Sequence, residues 1–165
     1  MSARHRYLLA LGSNRRHHQF GPPEQVLAEA AARLAELGQV EAVAPVLRTA
    51  PLGPSRRRYA NSAAILETEL EPPALLAALK RLERAFGRRS GGQRWSDRVL
   101  DCDIVLWSGG AWCGPALTVP HPAFRQRTFV LQPAKAIAPY WRDPVTGLTI
   151  RHLHARLTKP KPVPR

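Results

Sequence analysis

Three of the chain's four aspartates, Asp97, Asp101 and Asp103, fall within seven residues. Six arginines (Arg81, Arg84, Arg88, Arg89, Arg94 and Arg98) crowd the stretch just before or inside that window. A solvated surface scatters its charges. Carboxylates beside guanidinium groups supply what a metal–polyphosphate site needs: oxygen ligands for magnesium and cations for phosphate. Asp101 and Asp103 stand two apart in an apolar run that reads as a strand, so both carboxylates point to one face. Leu100, Cys102, Ile104 and Leu106 are expected on the other face. Two carboxylates make a half-shell that water and substrate phosphate complete, which is how magnesium is usually held. The same spacing also describes a strand end with two solvated acids; the flanking arginines favour the ligand reading.

Arg88, Arg94 and Arg98 are the phosphate candidates. Phosphoryl-type transfer is mostly positioning and charge neutralisation, and arginines on a mobile loop can supply both. A basic loop left solvated is the plainer fate of such residues. Trp95 beside them fits a core position or a lid equally. The loop from Thr49 to Pro54 offers backbone groups fixed by Pro51 and Pro54 and leads to Tyr59 and Asn61. An aromatic face beside an amide suits a flat heterocycle, through stacking and paired hydrogen bonds. Pro120-His121-Pro122 holds a histidine rigidly, with Arg125, Arg127 and Phe129 close behind. His17 and His18 have no matching ligands nearby and read as an exposed loop.

These residues need elements to hold them. Tyr7 to Leu11 is a short apolar strand closed by a Gly12-Ser13-Asn14 turn. Pro22 and Pro23 open a helix whose apolar face is Leu27, Ala30, Leu34 and Leu37, with Gly38 closing it. Val40 to Thr49 is β-branched and apolar but contains Pro45, so it is an edge or bulged strand. Tyr59 to Leu70 is a strand with Ala64, Leu66 and Thr68 on one side. Pro72 and Pro73 start a second helix with Leu75, Leu79, Leu82 and Phe86 inside. Residues 88–93 are polar and Gly-rich, hence a mobile loop, and Val99 to Trp107 is the last strand. The order predicts an α+β fold, a ferredoxin-like βαββαβ sandwich with a mainly antiparallel sheet and flanking helices. A loop-rich C-terminal extension follows, with a short helix near Ala134 to Ala138. Residues 1–158 are expected as a single domain and 159–165 as a disordered Lys/Pro tail.

Composition bounds the setting. The chain of 165 residues fits one domain with a core that needs no staples. No apolar run approaches a membrane span, and Tyr7 to Leu11 is too short for a signal-peptide core. Two cysteines make neither a disulfide framework nor a zinc site, so the cytoplasm is the expected compartment. The formal net charge is +13. Arginine dominates the basic residues, which points to an anionic partner or to Arg-rich codon usage. An RNA-binding sheet would display aromatics on its central strands, but Leu8 to Leu11 and Ala60 to Leu70 carry none. Asp101 and Asp103 would also repel a phosphate backbone. No nucleic-acid partner and no membrane are expected.

In sum of motifs, the chain resembles the 6-hydroxymethyl-7,8-dihydropterin pyrophosphokinases of folate synthesis. Six elements carry the resemblance in order: Leu11-Gly12-Ser13-Asn14; Arg48-Thr49-Ala50-Pro51-Leu52-Gly53-Pro54; Tyr59-Ala60-Asn61; Glu83 with Gly87-Arg88; Arg94 to Ile104; and Pro120-His121-Pro122 with Arg127 to Leu131. The resemblance implies transfer of pyrophosphate from ATP to the pterin hydroxymethyl group, with AMP released. It implies that Asp101 and Asp103 hold two magnesium ions, and that Arg88 and Arg98 join them as catalytic residues. Glu83, Arg88, Trp95, Arg98, His121 and Arg127 would bind ATP. Thr49, Leu52, Tyr59, Asn61 and Phe129 would bind the pterin. A monomer is implied. The chain departs from the family at Ser90, where a second loop arginine is usual, at Ser96-Asp97, where Gly-Pro is common, and at Ala50, where a second proline is usual. A divergent paralogue, acting on a modified pterin or binding pterin or nucleotide with little turnover, is the alternative.

Overall fold

The computed structural model describes residues 2–49, 58–87 and 98–164. Its first strand, β1 (His5–Ser13), is longer than expected. Gly12 and Ser13 continue the ladder to β4 instead of turning, because both strands beside them run on to the same level. Helix α1 (Pro23–Arg33) follows with proline in its first turn, where a missing N–H costs nothing, and runs into a 3-10 turn at Leu34–Glu36. The bulged strand is resolved into two pieces, β2 (Gln39–Val43) and β3 (Leu47–Thr49), which pair with different stretches of the same neighbour. Pro45 sits in the gap, consistent with its lack of a ladder donor. That neighbour is β4 (Tyr59–Thr68), followed by α2 (Pro72–Ala85) and β5 (Asp101–Trp107).

The main sheet runs β2-β4-β1-β5, with β3 also paired to β4, and every pairing is antiparallel. Strand β4 is therefore central and buries both faces. Ala60, Ala64 and Leu66 join a core shared with Leu27, Leu34, Leu75 and Leu79 of the first two helices. Ala63 and Ile65 face a second core on the opposite side.

That second core corrects the expectation of a loop-rich end. After a short hairpin, β6 (Trp112–Cys113) and β7 (Thr118–Val119), and a 3-10 turn at Phe124–Gln126, two helices form: α3 (Thr128–Ile137) and α4 (Ile150–Thr158). The short helix expected at Ala134 to Ala138 thus begins at Thr128. Pro133 disguises it: proline lacks the N–H that would bond back one turn, yet Val130, Leu131 and Ala134 still bury one stripe. Helix α4 starts where the Thr149 hydroxyl accepts the His152 N–H at 3.2 Å. Its Ile150 and Leu153 seal the second core with Phe124 and Leu131. No helix among the described residues is long and apolar enough to cross a membrane.

One side chain lies on the face opposite to its expected one. The β1–β5 register shifts between Leu8 and Leu9, so Leu9 pairs with Ile104 but Leu8 with Leu106. A bulge inserts one residue, and the alternation slips with it. Leu106 therefore joins Leu8 and Val105 in the second core, while Cys102 and Ile104 stay in the first.

Candidate active site

The site follows from the register. On β1, Leu9 and Leu11 belong to the first core, so Leu8, Ala10 and Gly12 face the second side. Asp101 and Asp103 face that side too, since Cys102 and Ile104 are buried on the other. Gly12 pairs with Asp101 on one flank and Asn61 on the other; Ala10 pairs with Asp103 and Ala63. A row of Asn61, Gly12 and Asp101 thus crosses three strands with no side chain in its middle. At sheet spacing, Asn61 and Asp101 stand about 10 Å apart. The opposite end of this face is filled by Ile65, Val105 and Leu106 under α3 and α4. Nothing apolar is needed where the aspartates stand, and their side chains keep about a third of their surface, 32% and 35%.

Basic groups surround the pair. Arg98 brings its guanidinium 3.1 Å from the Asp101 carboxylate. Both partners are about one-third exposed, so the bridge contributes well under 1 kcal/mol and exchanges readily for another anion. The Arg98 backbone is set by Asn14, whose side-chain oxygen accepts the Arg98 N–H at 2.8 Å, while the Asn14 N–H donates to the Arg98 carbonyl at 3.1 Å. This reciprocal clamp joins the end of β1 to the start of β5 across 84 residues. The sequence marks Asn14 only as a turn residue; its place directly after a strand is the one signal for this role.

His121 lies on the far side of Asp103, with Nε2 at 3.9 Å from the carboxylate. Its backbone N–H donates to Val105 O at 3.1 Å, which fixes the segment against β5. Its Nδ1 accepts the Ala123 N–H at 3.1 Å, so in the neutral ring Nε2 carries the proton and faces the acids. Burial lowers the His121 pKa, and the Arg127 charge adds to this; Asp101 opposes it. Arg127 caps α3 and lies 5.7 Å above the Phe129 ring, which is 39% exposed. Helix α3 packs on β3 and β4, where Thr49 pairs with Tyr59. By alternation Tyr59 shares the face of Asn61, which is 8% exposed.

The fold thus gathers Asn61, Arg98, Asp101, Asp103 and His121 at one end of one sheet face, with Thr49, Tyr59, Arg127 and Phe129 on elements packed at its border. Glu83, expected at the nucleotide, lies inside at 3% exposed, and its carboxylate accepts the Cys102 N–H at 3.1 Å. From there it supports β5 between the two aspartates. Leu52, Arg88 and Trp95 lie outside the described residues, as do Ala50, Ser90 and Asp97. His17, expected in an exposed loop, is 7% exposed. It stacks against Phe20 with ring centroids 4.5 Å apart, and its Nδ1 accepts the N–H groups of Gln19 and Phe20. Burial lowers its pKa, with His18 and Arg33 adding to the effect.

Known proteins resemble this chain in sequence and in fold. Residues 8–139 match the family model described as 7,8-dihydro-6-hydroxymethylpterin-pyrophosphokinase (HPPK). A Synechocystis protein named 2-amino-4-hydroxy-6-hydroxymethyldihydropteridine pyrophosphokinase is 36% identical over 151 residues, covering 90% of this chain and 74% of that protein. A Pseudomonas aeruginosa protein of the same name is 41% identical over 142 residues, covering 84% of each. Among solved structures, a crystal structure of Plasmodium falciparum HPPK-DHPS superposes with a TM-score of 0.70 at 13% identity, over 94% of this chain. This chain spans 44% of that longer one, and the likeness concerns the fold.

Proposed function

The chain belongs to the 7,8-dihydro-6-hydroxymethylpterin-pyrophosphokinase family, and from that premise we propose how its residues divide the reaction. It transfers pyrophosphate from ATP to the hydroxymethyl group of 6-hydroxymethyl-7,8-dihydropterin, in folate synthesis. Moving the two outer phosphates together leaves AMP. The observation that carries the assignment of roles is the Asn61–Gly12–Asp101 row, which gives one sheet face a heterocycle end and a phosphate end.

At the phosphate end, Asp101 and Asp103 fit magnesium: both offer hard oxygens, share one face and keep partial exposure. Such an ion takes one or two carboxylates and completes its shell with water and phosphate. They would hold two such ions, which when bound neutralise phosphate charge. Arg98 releases Asp101 and turns to the triphosphate, its backbone held by Asn14. His121 presents its Nε2–H beside Asp103, and Arg127 adds charge from the start of α3. Arg88 and Trp95 complete the nucleotide side, and the buried Glu83 acts behind it by steadying β5.

At the other end, the pterin lies between Tyr59 and Phe129, and Asn61 reads its edge with the backbone near Thr49 and Leu52. Gly12 keeps the row open. A methyl group there would meet Asn61 Oδ1 at 3.2 Å, tighter than an ordinary contact. Gly12→Ala is expected to raise the KM for the pterin about tenfold, roughly 1.4 kcal/mol, and to change that for ATP far less. Equal shifts in both would remove Asn61 from the pterin.

The strand and helix order through β5 supports a ferredoxin-like core to which α3 and α4 are added, in a single domain of residues 1–158. We take the enzyme to act as a cytoplasmic monomer. The direct test is incubation with ATP, magnesium and the dihydropterin alcohol, followed by phosphorus NMR. AMP and pterin diphosphate are expected in equal amounts. Binding of both substrates without AMP would select the reading of a paralogue with little turnover.

A further inference from the structure

A second basic constellation lies beside the site, on arginines to which the reaction gives no role. Arg15, Arg16 and Arg58 line one cleft of about 400 Å³ together with Asn14 and Pro23. Two of the arginines follow the end of β1, and the third immediately precedes β4. Odd-numbered residues at the start of β4 face the aspartates, so alternation carries Arg58 to the other side, where Pro23 begins α1. The cleft therefore opens across the sheet end from Asp101 and Asp103.

No ion pair joins these three guanidinium groups to a carboxylate among the described residues. Glu24, which follows Pro23 of the cleft, is held by Arg48 at 3.0 Å. Three like charges lining one cleft repel one another, and an anion between them turns that cost into attraction. The loop that presents two of them is fixed from both ends. Asn14 is clamped to Arg98, and the Ser13 hydroxyl donates to Arg15 O at 3.3 Å. Beyond them, His17 is buried, and its backbone N–H and C=O exchange hydrogen bonds with Gly21 at 2.8 and 2.9 Å. Gly21 adopts φ +95°, which closes this turn without strain. The arginines are exposed, yet their backbone is already in place.

We propose that this cleft is a binding site for a compact polyanion of the diphosphate class, separate from the substrate face. Guanidinium forks match phosphate oxygens two at a time, and three forks in one cleft suit two adjacent phosphates better than a single carboxylate. Asn14 lines the cleft and also accepts the Arg98 N–H, so an anion seated there touches the residue that sets Arg98. Occupancy is thereby coupled to the phosphate end of the site.

The probe is inorganic pyrophosphate, titrated calorimetrically into the full chain in chelator, so that no divalent cation recruits it to the aspartates. The wild type is expected to bind one pyrophosphate. Arg16→Glu with Arg58→Glu weakens this at least tenfold, whereas Arg98→Ala with Arg127→Ala leaves it within twofold. In nitrogen-edited NMR, pyrophosphate is expected to move the Arg98 amide resonance in the wild type and not in the charge-reversed variant. Absence of binding in the wild type would overturn the proposal. So would binding that survives charge reversal or disappears with Arg98 and Arg127. The titration involves no turnover, so its outcome is distinct from failure of the pyrophosphokinase assay.

Discussion

Asp101→Ala and Asp103→Ala are each expected to reduce AMP formation at least a thousand-fold while leaving the fold intact. The magnitude follows from what is lost. Charge stabilisation at a single preorganised position is worth roughly 3–4 kcal/mol in enzymes of acyl transfer, and a thousand-fold change is about 4 kcal/mol. Here each carboxylate is also half of the proposed cation holder, so its loss removes one charge and the ion it keeps. Stability moves little. Both side chains are about one-third exposed, and like charges on adjacent positions of one face repel each other. The thermal midpoint of each variant is expected within a few degrees of the wild type. Asp101→Ala also removes the partner of Arg98, which frees that guanidinium without restoring the reaction. Excess chelator should reproduce the loss in the wild type. Turnover that survives both substitutions, or activity unchanged in chelator, would show that the cations sit elsewhere.

The aspartate pair was legible because strand alternation is a local rule. Two residues apart means one face, whatever the sheet around them does. Leu106 marks the limit of that rule: it lies beyond the register shift, and nothing in Ile104-Val105-Leu106 announces an inserted residue. The first two helices were legible from apolar spacing and proline starts. Helix α3 was hidden by Pro133, and α4 by a polar sequence that buries little more than Ile150 and Leu153. Those helices matter to the site, because they close the apolar end of the sheet face and leave the aspartate end for substrates. Asn14 shows a different limit. Its residue type permits a clamp, but its partner is the backbone N–H of Arg98, and no local pattern reports which amide a side chain will meet. His17 shows the opposite limit: nothing near it in sequence suggests a ligand, yet its ring is the acceptor around which a turn folds.

A stability effect of comparable weight is expected at the chain's fourth aspartate. Asp143 is fully buried, at 0% exposed, in the segment between α3 and α4. Arg125 donates to both its oxygens, at 2.6 and 2.8 Å, the Val145 N–H donates at 3.0 Å and the Thr146 hydroxyl at 2.7 Å. Burial alone would push this carboxyl up; hydrogen bonds from Arg125, Thr146 and Val145, with the guanidinium charge, outweigh it and hold the pKa at about 2, against an ordinary 3.8. A depressed carboxyl means that the unfolded chain takes up the proton first on acidification. Its contribution, roughly 2 kcal/mol, is therefore complete above the unfolded value and is lost as pH falls through 3.8 towards 2. Asp143→Asn should flatten that part of the stability profile. Asp143→Ala leaves the Arg125 guanidinium, a quarter exposed, beside a gap, at a cost of about 3 kcal/mol, and is expected to lower the thermal midpoint by roughly 10 °C. The consequence reaches the site through the chain. Arg125 stands between His121 and Arg127, so releasing it loosens the segment that presents both to ATP. The alanine variant, assayed well below its midpoint, should show a raised KM for ATP with the KM for the pterin little changed. An unaltered midpoint would mean that this pair does not lock the segment, and a rise confined to the pterin would mean that the segment serves the other end of the sheet face.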